Sequence, residues 1–111
     1  MVVSFVAKML ASKALIDAAN RGELARVKEI IDGMKTNGVD INHQNSDGFT
    51  ALMRACYDDH TRVALELLKV VGLDVNVQDS DGWTALIRTC SNGLTQVALE
   101  LLKVDGLDVN I

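Results

Sequence analysis

One segment of this sequence recurs at a spacing of 34 residues, and a repeat of that length strongly restricts the folds open to the chain. Residues 81–111 repeat residues 47–77 with 21 of 31 positions identical. The clearest match sets Asp47-Gly-Phe-Thr-Ala-Leu against Asp81-Gly-Trp-Thr-Ala-Leu. Repeats of about 20 to 50 residues are typical of solenoids, in which a unit cannot bury its apolar face alone and stacks on its neighbours.

A third, looser copy precedes these two. Asp40-Ile-Asn-His-Gln aligns with Asp74-Val-Asn-Val-Gln at the same spacing, but the preceding segment Ala18-Ala-Asn aligns with Ala55-Cys-Tyr only at a shift of 37. We therefore expect three units, near 13–46, 47–80 and 81–111. The three additional residues of the first unit predict a longer loop over 32–38.

Each unit has the pattern of two short helices followed by a hairpin-like loop. Thr50 and Thr84 precede apolar-periodic stretches and are suited to cap a helix N-terminus. In the middle unit we predict helices near 51–58 and 61–71, and a turn around Gly82 with a positive φ. The second helix would bury one apolar stripe, made of Val63, Ala64, Leu67, Leu68 and Val71.

The two ends of the stack raise separate questions. Residues 1–12 form an N-terminal extension that is either a capping helix or a poorly ordered tail. If it is a helix, one side would carry Val2, Val3, Val6, Met9 and Leu10. No polar cap follows the last unit, so we expect the stripe of its second helix, near 95–104, to face water. The chain would then be a fragment of a longer array, or another molecule would cover that end.

Charge and cysteine content limit the possible partners and compartment. The 111 residues carry 15 acidic and 11 basic side chains, a net charge of -4, which offers no basic surface for nucleic acid or an anionic membrane. The apolar start lacks a basic leader and is interrupted by Lys8, which argues against a signal peptide and a membrane span. Two cysteines are few for a disulfide-rich secreted fold, so we expect the cytoplasm, with the nucleus as an alternative.

The repeated residues resemble the ankyrin repeat, whose approximate pattern is D-x-x-G-x-T-P-L-H-x-A-A-x-x-G-H followed by V-x-x-L-L and G-A-D-V-N. The resemblance covers most of the chain and implies an all-α solenoid of helix-turn-helix units with hairpin-like loops. Two departures stand out. Thr50-Ala-Leu-Met and Thr84-Ala-Leu-Ile replace Thr-Pro-Leu-His, and Asp59 occupies a position where the family has a turn glycine.

Ankyrin repeats generally bind proteins, so the resemblance implies a protein-protein interaction module that needs no cofactor. Its partner-contacting surface would comprise the loop tips and the first helix of each unit, on the concave side of the stack. The residues at those positions are Ser46, Asp47, Phe49, Arg54, Tyr57, Asp58, Ser80, Asp81, Trp83, Arg88, Ser91 and Asn92. Phe49 and Trp83 are the sharpest candidates because aromatic residues dominate binding hot spots.

Three of these inferences leave alternatives open. Arg54 and Arg88 recur at one helix position, where they form either a basic strip for an acidic ligand or ordinary solvated charge. The chain could instead be a structural repeat that self-associates through its open C-terminal end. By the family resemblance, Asn42 and Asn76 are also candidate sites for asparaginyl hydroxylation.

Enzymatic and metal-binding functions find little support in the sequence. Cys56 and His60 lie four residues apart, but the first helix is expected to end between them and no residue is placed to orient the imidazole. Cys90 repeats Cys56 at a position where the family has a small buried residue. None of the close ligand pairs of a structural zinc site is present, so we expect neither an enzyme nor a metal site.

Overall fold

The computed structural model describes residues 4–109, and it builds them from seven helices with no strand in that range. The helices are α1 (Phe5–Arg21), α2 (Leu24–Asp32), α3 (Met34–Asn37), α4 (Ala51–Tyr57), α5 (Thr61–Leu67), α6 (Ala85–Ser91) and α7 (Thr95–Leu102). The all-helical repeat architecture predicted from the sequence is confirmed.

The helices pack in two layers. The first helices of the three units, α1, α4 and α6, pack side by side, and the second helices α2, α5 and α7 form the other layer. Each first helix also packs against the second helix of its own unit. Fully buried side chains from both layers fill the space between them, among them Leu15, Leu52, Met53, Leu67 and Leu101. The stack measures 40 × 25 × 25 Å.

The predicted helix caps and turns are present. The Thr50 hydroxyl accepts the Met53 N–H at 3.2 Å, and the Thr84 hydroxyl accepts the Ile87 N–H at 3.4 Å. Both interactions satisfy a backbone donor that an α-helix leaves unpaired in its first turn. In the two loops before these helices, Gly48 and Gly82 take φ values of 78° and 79°. The loops are therefore tight turns that bring each chain segment directly into its first helix.

The second helix of the middle unit is shorter than predicted. α5 ends at Leu67, and hydrogen bonds between residues three apart follow, from Lys69 N–H to Glu66 and from Val70 N–H to Leu67. This tighter turn changes the angular position of successive side chains. Val71 is consequently 94% exposed, and its predicted place on the buried stripe is wrong.

The predicted long loop over 32–38 contains the short helix α3. Asn37 closes it, because its side-chain amide donates to the Ile30 carbonyl at 3.1 Å and its side-chain oxygen accepts the Val39 N–H at 2.9 Å. Gly38 then turns the chain with a φ of 68°. The additional residues thus form an extra helical turn.

The two ends of the stack compare differently with the sequence prediction. At the N-terminus the helical alternative is the one present, because α1 begins at Phe5 and continues past residue 12; its first turns expose Phe5, Val6 and Leu10, while Val2 and Val3 lie outside the described residues. At the other end, the expectation that the α7 stripe faces water is wrong for its central residues. Val97 and Leu101 are fully buried, because they face α5 and α6, whereas Leu99 and Leu102 are more than half exposed.

Candidate protein-binding surface

Five side chains from two neighbouring units gather where the loops enter the first helices. We call this group the aromatic–arginine cluster; its members are Phe49, Arg54, Tyr57, Trp83 and Arg88. The rings of Phe49 and Tyr57 meet edge to face with centroids 5.6 Å apart. The Arg88 guanidinium lies 4.3 Å from the Trp83 centroid and 5.1 Å from both other rings, and Arg54 lies 5.1 Å from the Tyr57 ring. Cation–π contacts of this kind hold aromatic side chains in fixed positions.

The three aromatic side chains differ in their access to solvent. Phe49 is 7% exposed, whereas Trp83 is 36% and Tyr57 48% exposed. Phe49 and Trp83 occupy equivalent positions, but Arg88 of the following unit lies over the Phe49 ring. The sequence prediction that Phe49 is a leading contact residue is therefore corrected. Phe49 packs against Tyr57 and Arg88, and Trp83 and Tyr57 are the rings of the cluster that are exposed to solvent.

The two arginines are neutralised by different acids. Arg54 pairs with Asp58 at 2.8 Å and donates to the Asn20 side chain at 2.8 Å. Arg88 instead pairs with Asp79 at 2.8 Å, and only 12% of its side chain is exposed. Neither guanidinium is an unpaired surface charge, which argues against the basic strip for an acidic ligand considered from the sequence.

Asp79 is a buried residue whose carboxylate holds Arg88 in this cluster. One carboxylate oxygen accepts two bonds from Arg88, and the other accepts the backbone N–H groups of Asp81 and Trp83. Burial raises the pKa of this carboxyl, but the bonds from Arg88 and from the two backbone donors, together with the Arg88 charge, outweigh that effect. The pKa of Asp79 therefore lies below its ordinary value, and the side chain stays ionised.

The sequence itself shows that the aspartate that pairs with the arginine changes position between the repeats, although the sequence prediction did not use this. Asn45, in the loop before α4, takes the place that Asp79 has in the loop before α6, and its side-chain oxygen accepts the equivalent backbone N–H groups of Asp47 and Phe49. After the first helices, Asn92 takes the place of Asp58. Arg54 and Arg88 thus each have one aspartate nearby, after the helix for Arg54 and before it for Arg88, and the repeat alignment alone could have identified Asp79 as a site residue.

The loop tips are exposed and lie side by side. Ser46, Asp47, Ser80 and Asp81 are all exposed, as the sequence predicted for a contact surface. The Ser80 N–H donates to the Asp47 carbonyl at 3.1 Å. A Cβ added to Gly48 would lie 2.7 Å from the Ser80 nitrogen, so only glycine allows the tips to approach this closely.

The remaining candidate residues divide between surface and scaffold. Ser91 is exposed at the end of α6. Asn92 is also exposed, but its amide donates to the Cys56 and Tyr57 carbonyls at 2.7 and 2.9 Å and so ties the last unit to the end of α4. We therefore interpret Asn92 chiefly as a structural residue that holds the backbone of Tyr57 in place.

Asn42 and Asn76 form hydrogen-bonded bridges between consecutive units. The Asn42 amide donates to the Gly72 carbonyl and its oxygen accepts the Asp74 N–H, at 2.9 and 2.7 Å. Asn76 makes the same pair of bonds to Gly106 and Asp108, at 2.7 and 2.8 Å. These amides hold the loops at a fixed spacing, and hydroxylation of either residue stays an expectation from the resemblance.

The cysteine and histidine considered for catalysis are not arranged as a nucleophile and base. Cys56 is fully buried, and burial raises the pKa of its thiol to about 11. His60 instead uses Nε2 to contact the Asn20 carbonyl at 3.0 Å. Cys90 is exposed, in contrast to the buried position that the repeat suggested, and both cysteines are free thiols.

Two further features are absent from residues 4–109. Within them, no group of three or more histidine, cysteine, aspartate or glutamate side chains is arranged to hold a metal ion. No helix in the same range is long and apolar enough to cross a membrane.

The two-layer stack and its repeated loops define a helical repeat solenoid that carries a preformed aromatic surface. The model of the ankyrin repeat family matches three copies over residues 15–111, and the chain belongs to that family. Ankyrin repeats are generally protein-protein interaction modules. No curated protein sequence matches this chain.

Among solved structures, the chain is similar to one from the complex of the predatory endopeptidase Bd0816 of Bdellovibrio bacteriovorus with immunity protein Bd3460. The sequence identity is 35% and the TM-score is 0.74. The alignment covers 90% of this chain and 49% of the matched one, so this chain spans about half of that neighbour's length.

Proposed function

We propose that this chain is a protein-binding module that contacts its partner with the loop tips and first helices, and that Trp83 and Tyr57 are the main contacts. The observation that carries this proposal is the aromatic–arginine cluster, which keeps two large rings partly exposed. Large apolar side chains are normally buried where possible, and partly exposed aromatic residues beside arginine are characteristic of binding hot spots.

The rigidity of the cluster supports the same proposal. Arg88 contacts the Trp83 ring, and Phe49 and both arginines contact the Tyr57 ring. The Asn92 side-chain amide also donates to the backbone carbonyl of Tyr57. A side chain that is already immobilised loses little conformational entropy when a partner binds. Ser46, Asp47, Ser80, Asp81 and Ser91 would form the polar rim around the two rings.

An endopeptidase is the first candidate partner, since the similar structure contains an immunity protein in complex with one. Calorimetric titration of the chain with endopeptidase Bd0816 tests this choice. Binding that Trp83→Ala weakens would support an immunity-type role, and absence of binding would exclude this enzyme as a partner.

The location of the surface is tested by alanine substitution on the two layers. We expect Trp83→Ala and Tyr57→Ala to weaken binding to a partner recovered from the source organism by about 2 kcal/mol each. Glu66→Ala and Glu100→Ala on the second helices serve as controls and should leave affinity unchanged. The opposite pattern would place the contact surface on the second helices, and melting temperatures must show that all four variants remain folded.

A second candidate function, self-assembly, is favoured by the exposed Leu99 and Leu102 of α7. It would use a different surface from the aromatic–arginine cluster. The two free thiols support a reducing compartment for either function, and we propose the cytoplasm, with the nucleus as the alternative.

A further inference from the structure

We infer that the loop tips and the aromatic–arginine cluster bind a positively charged segment of the partner, one that presents arginine or lysine side chains. This inference rests on the proposed function, because it specifies the partner chemistry for the same surface.

The surface carries an excess of negative charge once the ion pairs within it are counted. Asp58 neutralises Arg54, and Asp79 neutralises Arg88, each at 2.8 Å. These pairs hold the two arginines within the chain's own network, so an anionic partner would have to displace an existing carboxylate. These ion pairs therefore disfavour the binding of an acidic ligand at this surface.

Two further carboxylates remain at the loop tips. Asp81 is 79% exposed at its side chain and lies 3.9 Å from Arg88, a weak contact for a guanidinium already paired more closely. The Asp47 side chain has no hydrogen-bond or ion-pair partner among residues 4–109. The bond from Ser80 N–H to the Asp47 carbonyl holds the two loop tips together, so the two aspartates lie on neighbouring tips.

The exposed rings beside these carboxylates complete a site for a long cationic side chain. Arginine and lysine pack their aliphatic stems on apolar surface while their charged ends reach polar groups. Trp83 already holds the Arg88 guanidinium at 4.3 Å, which shows that the indole environment accepts such a group. A partner cation would therefore pair with Asp81 or Asp47 while its stem packs on the exposed part of Trp83.

The chain contains one tryptophan, so its fluorescence reports directly on this surface. We would titrate the full chain with an acetylated hexa-arginine peptide and, separately, with hexa-glutamate. The arginine peptide should change Trp83 emission in a saturable way, and hexa-glutamate should not. Failure of hexa-arginine to bind, or equal binding of hexa-glutamate, would overturn the inference.

A matched pair of double variants separates local recognition from general attraction to an acidic protein. Asp47→Asn/Asp81→Asn removes the two tip charges, while Asp32→Asn/Asp105→Asn removes two exposed charges elsewhere. We expect the first to weaken hexa-arginine binding about fivefold or more and the second less than about twofold. Equal weakening by both would show nonspecific attraction and reject the inference.

The same variants distinguish this inference from the proposed function. If a partner protein depends on Trp83 and Tyr57 but binds Asp47→Asn/Asp81→Asn as tightly as the parent, the module function stands and the cationic segment is rejected. If affinity for the partner falls about fivefold or more in that variant and is retained in Asp32→Asn/Asp105→Asn, both stand.

Discussion

Asp59 occupies a backbone conformation that the other units assign to glycine. Its φ is 62°, and it is the only residue other than glycine with a positive φ within residues 4–109. Gly93 occupies the same turn in the last unit with a φ of 68°, and Gly22 in the first with a φ of 69°. A Cβ in this left-handed region approaches the following carbonyl oxygen and costs about 1–2 kcal/mol.

We expect Asp59→Gly to raise the free energy of unfolding by up to about 1 kcal/mol. The substitution relieves the left-handed strain, although the greater freedom of glycine in the unfolded chain offsets part of the gain. Urea denaturation measures the difference. A clear loss of stability would show that Asp59 makes a stabilising contribution greater than its strain.

Gly93→Asp provides the matched reverse substitution. No heavy atom lies within 4 Å of a Cβ added at Gly93, so backbone strain dominates and should lower stability by about 1 kcal/mol. Gly22→Asp should be more damaging, because the added Cβ would lie 2.6 Å from His60 Nδ1. The order of the three variants is therefore itself a test of the turn geometry.

Individual residues were predictable where their role is local. The hydroxyls of Thr50 and Thr84 and the positive φ of Gly82 follow from sequence alone, because caps and turns depend on residues within one turn of the chain. The burial of Phe49 depends on Arg88, 39 positions further along the sequence. A single unit contains no information on that contact, and the equivalence of Phe49 with Trp83 was misleading.

At the level of single elements, α6 and the loop before it are joined by the Asp79–Arg88 pair. α4 and the loop before it lack this link, since Asn45 replaces the aspartate and Arg54 pairs with Asp58 within α4 and its cap. The Asp79–Arg88 pair joins a loop to a helix, whereas the Arg54–Asp58 pair joins residues four apart. Loss of the Asp79 charge should therefore affect more of the structure.

We expect Asp79→Asn to lower the free energy of unfolding at pH 7 by about 2 kcal/mol, which is typical of a lost hydrogen bond to a charged group. Asparagine can still accept the Asp81 and Trp83 N–H groups, as Asn45 does with its own loop, so only the Arg88 contact is removed. Urea denaturation gives the value, and Asp58→Asn is the control. Because Asp58 and Arg54 are partly exposed, that control should cost less than about 1 kcal/mol.

Acidification supplies a second measurement on the same pair. The folded-state pKa of Asp79 lies below the unfolded value of about 3.9, so its contribution is fully present above that pH and is lost as pH falls through the folded-state value. The stability difference between the parent and Asp79→Asn should therefore shrink below about pH 4. A difference that is independent of pH would show that the charge of Asp79 is not what stabilises the loop.

The first and last residues of the helices were less predictable than the order of the helices along the chain. Apolar periodicity located both helices of the middle unit, but it extended α5 to Val71, because the tight turn after Leu67 leaves no sequence mark apart from Gly72. The spacing indicated additional residues before Asp40 correctly, and a loop was the simplest interpretation. The side chain of Asn37 closes a helical turn there instead.

In the whole molecule, position in the stack changes the environment of identical residues. Leu65 of α5 and Leu68, which follows the helix, are partly buried because α7 packs beside α5. Their counterparts Leu99 and Leu102 are more than half exposed, as is Val109 beyond them. The sequence predicted an uncovered apolar face of Val97, Leu101 and Leu102 in the last unit, but only Leu102 of these is exposed. The large apolar side chains that α7 and the segment after it expose are Leu99, Leu102 and Val109.

We expect this 111-residue chain to self-associate as its concentration rises, because Leu99, Leu102 and Val109 form an exposed apolar face on one unit. Light scattering coupled to size exclusion should show an average mass that increases with concentration. Leu99→Gln/Leu102→Gln should suppress this increase with little effect on folding, since exposed side chains contribute little to stability.

Val71→Gln is the control, because it removes a fully exposed valine from a turn outside this face and should leave association unchanged. A strict monomer at every concentration, or equal suppression by Val71→Gln, would contradict the assignment of this face. If association persists in Leu99→Gln/Leu102→Gln but is lost when Val6 and Leu10 are changed to glutamine, the exposed side of α1 would be the contact instead.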